Sequence, residues 1–138
     1  MKLSKKIRAV AADKYFAGGL VILFAALIFY FSSLPHPIPE ILEGSLLDRL
    51  LNYSIQIGLA HAVEYAILSL LLFRALYTTK VKNAAVYAAI IAILYGVSDE
   101  IHQYFVPGRV CDLIDVLFNS IGAVAVQFVG KIRLLFLK

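Results

Sequence analysis

YFAGGLVILFAALIFYFSSL, residues 15–34, is a run of 20 residues without a single charge. At about 1.5 Å of rise per residue it forms a helix about 30 Å long, the thickness of a bilayer's hydrocarbon core. The run is too long for a signal-peptide core, and Phe31-Ser32-Ser33-Leu34 is a poor small-residue cleavage site. It therefore reads as a retained membrane-spanning helix, and the rest of the chain is read around it.

Three further apolar stretches follow, at about 57–77, 84–104 and 111–130. His61, Glu64 and Arg74 interrupt the second, the third is uncharged until its outermost turns, and the fourth carries its acids in its first turns. The 138-residue chain is 62% hydrophobic and 16% charged, with mean hydropathy +0.86. A typical soluble domain is about 25% charged, and a chain this short cannot turn such an apolar excess inward. A water-soluble monomer is excluded as the default. The expectation is an all-α integral membrane protein, one domain over residues 1–138 built as a bundle of four transmembrane helices. Cys111 stands alone, so no intramolecular disulfide or cysteine-based zinc site can form.

Between the first two spans, Pro35-His36-Pro37-Ile38-Pro39 cannot continue a helix, because proline lacks the amide donor. After it, Ile41, Leu42, Leu46, Leu47, Leu50 and Leu51 alternate with Glu40, Glu43, Asp48 and Arg49. That pattern predicts a short amphipathic helix lying in the interface. Pro107-Gly108 fits the central positions of a type II turn between the third and fourth helices.

Eleven of the 13 basic residues fall before the first span, around the second connection or after the fourth span; only Arg49 and Arg109 lie on the other side. By the positive-inside rule both termini are cytoplasmic. Of the acids only Asp13 is inside, so the net charge of +4 divides into +10 on the inner side and −6 on the outer. The basic balance is thus a topology signal rather than a nucleic-acid site, and no nucleic-acid motif appears.

Charged residues within spans cost about 2.5–3.5 kcal/mol each at the bilayer centre, so they face protein or water and mark function. Asp99, Glu100, His102 and Gln103 occupy the outer turns of the third helix. Asp112, Asp115 and Asn119 occupy the first turns of the fourth, and His61 and Glu64 the outer part of the second. Asp112, Asp115, Asn119 and Gly122 share one helix face, as do His61 and Glu64. Ala84, Ala88, Ala92, Gly96 and Glu100 form a strict every-fourth row; small residues in such rows let helices approach closely. Glu100 is therefore expected at a helix contact, in an acidic pocket opening outward with Arg109 at its mouth.

The string Ser98-Asp99-Glu100-Ile101-His102-Gln103-Tyr104-Phe105-Val106-Pro107-Gly108-Arg109, followed by Asp112, Asp115, Asn119 and Gly122, resembles the signature of VanZ-like membrane proteins. His61-Ala62-Val63-Glu64-Tyr65 and Phe31-Ser32-Ser33 are similar to that family's other blocks, so the likeness spans about residues 29–123. One departure is Ile57-Gly58, where the family often carries an Asp-Lys pair before the histidine. The resemblance implies a multi-pass protein of the bacterial plasma membrane, in a family named for association with resistance to the glycopeptide teicoplanin. It supplies a cellular context and not a reaction.

The expected ligand pocket comprises His61, Glu64, Asp99, Glu100, His102, Gln103, Arg109, Asp112, Asp115 and Asn119. Three roles compete for it. It could bind an envelope lipid, a lipid-linked precursor or a glycopeptide antibiotic, with Arg109 on a phosphate. It could be a structural network setting bundle register, with Arg109 paired to Asp112. It could be a hydrolase or transferase acting on a lipid-linked substrate, for which a divalent cation on His61, Glu64, Glu100 and Asp115 is one candidate cofactor, although no spacing matches a known metal motif. A cation or proton pathway is disfavoured by the scarcity of polar residues in the inner half. Beyond the lipid bilayer no partner is specified, and the oligomeric state is open.

Overall fold

The computed structural model describes the backbone of residues 2–35, 46–109 and 111–136, and the side chains of 13–35, 57–109 and 111–129. All of its regular structure is helical: α1 (Lys2–Ser32), α2 (Leu46–Thr78), α3 (Ala84–Gln103) and α4 (Leu113–Phe136). Three segments are long and apolar enough to cross a membrane, Asp13–Ser32, Ile57–Thr78 and Ala84–Gln103, while the apolar part of α4 within the described side chains, Leu113–Val129, is shorter. The expected spans agree to within two residues at the ends of the first three. The fourth helix begins at Leu113 rather than residue 111, because Asp112 is its capping residue.

Among the described residues the predicted interfacial helix is not seen as a separate element. Leu46, Leu47, Leu50 and Leu51 form the first turns of α2, which runs unbroken for 33 residues, about 50 Å. Residues 36–45, which include Ile41 and Leu42, lie outside the described residues. Helix α1 likewise extends through the basic segment to Lys2, well before its apolar stretch begins.

Small residues make up much of the bundle's interior: Ala17, Ala84, Ala88, Ala92 and Ala123 with Gly96 and Gly122 pack around Ile28, Tyr65, Leu68 and Leu72, while Ile22, Leu23, Leu94, Leu117, Phe128 and Val129 point outward. A soluble protein reverses that order. In lipid, large apolar side chains gain nothing by turning inward, and close backbone packing through small residues holds helices together. A Cβ on Gly122 would fall 1.9 Å from the carbonyl oxygen of Ala62, so α2 and α4 touch backbone to backbone. The small-residue row on α3 is buried throughout, Ala84, Ala88, Ala92, Gly96 and Glu100 included.

Helices α2 and α4 run in the same direction, and α3 fills the groove beside them. Polar bonds cross this seam. Ser69 Oγ donates to the Ala123 carbonyl at 2.8 Å, and Gln127 Nε2 donates to Ser69 O at 3.0 Å and Ser69 Oγ at 2.7 Å. Such interhelical bonds average about 0.6 kcal/mol in a membrane protein, so they set register more than stability. Helix α1 packs on α2 and, to a lesser extent, on α3. Tyr95 donates its hydroxyl to the Ala25 carbonyl at 2.7 Å, and at one end of the pair Arg74 meets Asp13 at 2.9 Å.

Both connections at the ends of α3 have local causes. After α2, the Val81 amide bonds Leu76 O and the Lys80 amide bonds Tyr77 O, the Schellman pattern, with Lys80 left-handed at φ 60°. After α3, Gly108 takes φ 81° and the Arg109 amide donates to Val106 O at 3.1 Å. These are the hydrogen bond and the positive φ at the glycine that the Pro107-Gly108 type II turn requires.

Candidate functional site

The polar residues gather where the C-terminal ends of α1 and α3 meet the N-terminal end of α4. They stack in layers, because α2, α3 and α4 each present every fourth residue to a common seam. The first layer holds His61, Glu100 and Asp115, with one ligand atom from each within 4.8 Å of the others. His61 Nε2 lies 3.9 Å from Asp115 Oδ2. One turn below, Tyr65, Gly96 and Asn119 meet: a Cβ on Gly96 would lie 3.0 Å from the Tyr65 ring and 3.1 Å from Asn119 Nδ2. A methyl group there would require those two side chains to give way by a few tenths of an ångström. Ser69 and Ala123, with Ala92, form the next layer, and Gln127 closes the row.

Glu100 is the most enclosed acid of the cluster, at 1% exposure. Its Oε2 accepts the Asp112 backbone amide at 3.1 Å, and its Oε1 accepts Gln103 Nε2 at 3.4 Å. The same Gln103 amide donates its other hydrogen to Asp99 Oδ2 at 3.1 Å. Gln103 therefore stands between two buried carboxylates and bonds one with each hydrogen, which holds like charges in fixed positions.

Beside this layer, α1, α2 and α3 enclose a cleft of about 90 Å³ lined by Ile28, Phe31, Ser32, His61, Glu64, Asp99, Gln103 and Arg109. Asp99 is 4% exposed and its Oδ1 has no hydrogen-bond partner. His61 Nδ1, the Tyr65 hydroxyl and both amide atoms of Asn119 are likewise buried without partners. Buried polar atoms are almost always bonded, so a concentration of exceptions along one seam marks a place where water, an ion or a ligand completes the network.

Two expected pocket residues, His102 and Asp112, make their contacts outside the cleft, and Arg109 lines it while also bonding α1. His102 turns toward α1: its ring stacks on Phe29 with centroids 4.4 Å apart, and its Nε2 is 2.9 Å from Ser33 Oγ. Ser33 already donates to Phe29 O at 2.6 Å, so the histidine nitrogen is the donor to the serine oxygen. Asp112 caps α4, with Oδ1 accepting the Ile114 amide at 2.8 Å. Arg109 reaches neither Asp112 nor open solvent alone. Its Nε and Nη2 donate to the carbonyls of Leu34 at 2.9 Å and Phe31 at 2.8 Å, closing the C-terminal end of α1 while its edge lines the cleft. His61, Glu64, Asp99 and Gln103 line the cleft with it, and Glu100 and Asp115 adjoin through His61.

Tyr65, Ser69 and Gln127 belong to the same seam and were not singled out from the sequence. The signal was present: Tyr65 and Ser69 continue the every-fourth row from His61, and Gln127 continues the row of Asp115, Asn119 and Ala123.

No curated protein and no solved structure matches the chain significantly. The VanZ/LLP1 family profile matches residues 17–134, a range that contains every residue of the cleft and the seam. With the apolar helices, this match makes the chain a membrane protein that belongs to the VanZ/LLP1 family.

Proposed function

We propose that the chain is a multi-pass protein of the bacterial plasma membrane, with both termini cytoplasmic, whose outward-facing polar cleft seats the phosphate-bearing head group of an envelope lipid or lipid-linked precursor. The reading is carried by the unpartnered, buried Oδ1 of Asp99 in a cleft that also presents His61, Glu64, Gln103 and Arg109. A buried acceptor left unbonded costs about 1–3 kcal/mol, which a hydroxyl or ammonium group of the head group recovers by donating to it, while the phosphate, which only accepts, falls to Arg109.

A cleft of about 90 Å³ is suited to a small head group, whereas a glycopeptide could contact it only from outside. Any effect on teicoplanin susceptibility then follows from the envelope component that the protein binds, and the lipid tail lies along the large apolar residues outside. Arg109 keeps three of its five N–H donors after serving α1, enough to hold a phosphate oxygen at the cleft mouth.

The experiment is native mass spectrometry of the protein released from lipid nanodiscs, with teicoplanin susceptibility measured in cells that express it. Wild type should carry one phosphate-bearing lipid, and Glu64→Gln with Asp99→Asn should lower its retention by about ten-fold, the effect of 1.4 kcal/mol. Unchanged lipid retention together with unchanged susceptibility, at normal protein levels, abandons the reading.

A further inference from the structure

We propose that His61 Nε2, a Glu100 carboxylate oxygen and an Asp115 carboxylate oxygen hold one divalent transition-metal ion of the zinc class, with its fourth position open toward the cleft. Three helices supply the three ligands, and their atoms lie within 4.8 Å of one another. Two ligands each about 2.1 Å from one ion can be no more than about 4.2 Å apart. The 3.9 Å between His61 Nε2 and Asp115 Oδ2 falls inside that limit, and drawing the three ligand atoms from within 4.8 Å to the roughly 3.4 Å of a tetrahedral site takes side-chain shifts on the order of an ångström.

The surroundings favour the ion as much as the spacing does. Glu100 is held by the Asp112 amide and the Gln103 amide, the outer bonds that orient a metal-binding carboxylate. His61 presents Nε2 toward Asp115, and its Nδ1 is buried without a partner. An independent sign of a ligand is Asp99, buried to 4% exposure with Oδ1 unpartnered in the cleft that His61 also lines.

Charge points the same way. Glu64, Asp99, Glu100 and Asp115 are gathered near one guanidinium, Arg109, among the described residues, and that group is engaged with α1 carbonyls. A neutral imidazole and two carboxylates balance a dication. Imidazole ligation and three protein ligands suit zinc-like ions, whereas calcium takes six to eight oxygens.

The inference concerns the ion alone and does not require the head-group reading. Full-length protein in detergent is stripped with EDTA and titrated with zinc chloride; bound metal is counted by elemental mass spectrometry after gel filtration. One zinc per chain is expected, with affinity at least about ten-fold weaker in His61→Gln and Asp115→Asn. Asp115→His, which restores a ligand atom, should recover binding, and Gly18→Ala, far from the site with nothing within 4 Å of its Cβ, should leave it unchanged. Cobalt(II) should give the visible bands of a low-coordinate nitrogen–oxygen site in wild type and in Asp115→His, and none in His61→Gln. Absence of stoichiometric zinc, or equal affinity in monodisperse His61→Gln and Asp115→Asn, overturns the inference. Zinc binding without lipid retention leaves it standing while the head-group reading falls; lipid retention by a protein that takes no zinc overturns this inference alone.

Discussion

Arg109 Nε donates to the Leu34 carbonyl at 2.9 Å, and this bond ties the loop after α3 to the C-terminal end of α1 across 75 positions of sequence. The last carbonyls of a helix have no partner within it. Arg109 supplies one to Leu34 and, through Nη2, another to Phe31. The guanidinium is thus a clasp on the cleft wall, because Phe31 and Ser32 line the cleft beside it.

Removing that clasp should loosen α1. Bonds from charged donors contribute about 1.5–3 kcal/mol each, and Arg109 is only partly buried, so Arg109→Ala is expected to cost about 1–3 kcal/mol. Arg109→Lys should recover less than half, since an ammonium cannot span both carbonyls as the planar fork does. Thermal unfolding of the detergent-solubilised protein reads both; if neither variant lowers the midpoint, the clasp contributes nothing to stability.

Two glycines in helices should behave oppositely. A methyl group at Gly122 would meet the Ala62 carbonyl oxygen at 1.9 Å, with backbone on both sides and nothing free to yield. Gly122→Ala should force α2 and α4 apart and cost about 3 kcal/mol or more, at the upper end of overpacking effects. At Gly18 a Cβ meets nothing within 4 Å, so Gly18→Ala should raise stability by about 0.5–1 kcal/mol through helix propensity. Equal effects in the two variants would remove the argument for a backbone contact.

The proposed topology has a native reporter. Cys111 is exposed, next to the capping residue of α4 and at the same end as the cleft. A membrane-impermeant thiol reagent should label it in intact cells after the outer layers are made permeable. Labelling that appears only when the plasma membrane is broken would place the cleft end in the cytoplasm and reverse the orientation.

Much of the bundle was legible in the chain because a bilayer makes strong demands on sequence. A span needs about 20 apolar residues, with all backbone bonds kept within the helix, so hydropathy and length mark the helices directly. Small residues at every fourth position foretold the buried face of α3, and Pro107-Gly108 foretold its turn. The every-fourth spacing also foretold that Glu100 would sit at a helix contact.

What spacing along a helix could not decide was how far each helix is rotated and displaced against its neighbours. That rotation sends His102 to Phe29 and Ser33 rather than into the cleft, and it brings Tyr65, Ser69 and Gln127 into the seam. It also divides the acids: Asp112 to a helix cap, Asp99 and Glu64 to the cleft, and Glu100 and Asp115 to His61. The sequence by itself determined that this protein has lipid-crossing helices with its polar residues gathered toward one end, since desolvation acts on each residue through its own chemistry. Only the tertiary structure decided which of them share a site, since a contact a few ångströms long depends on packing between helices that no single helix encodes.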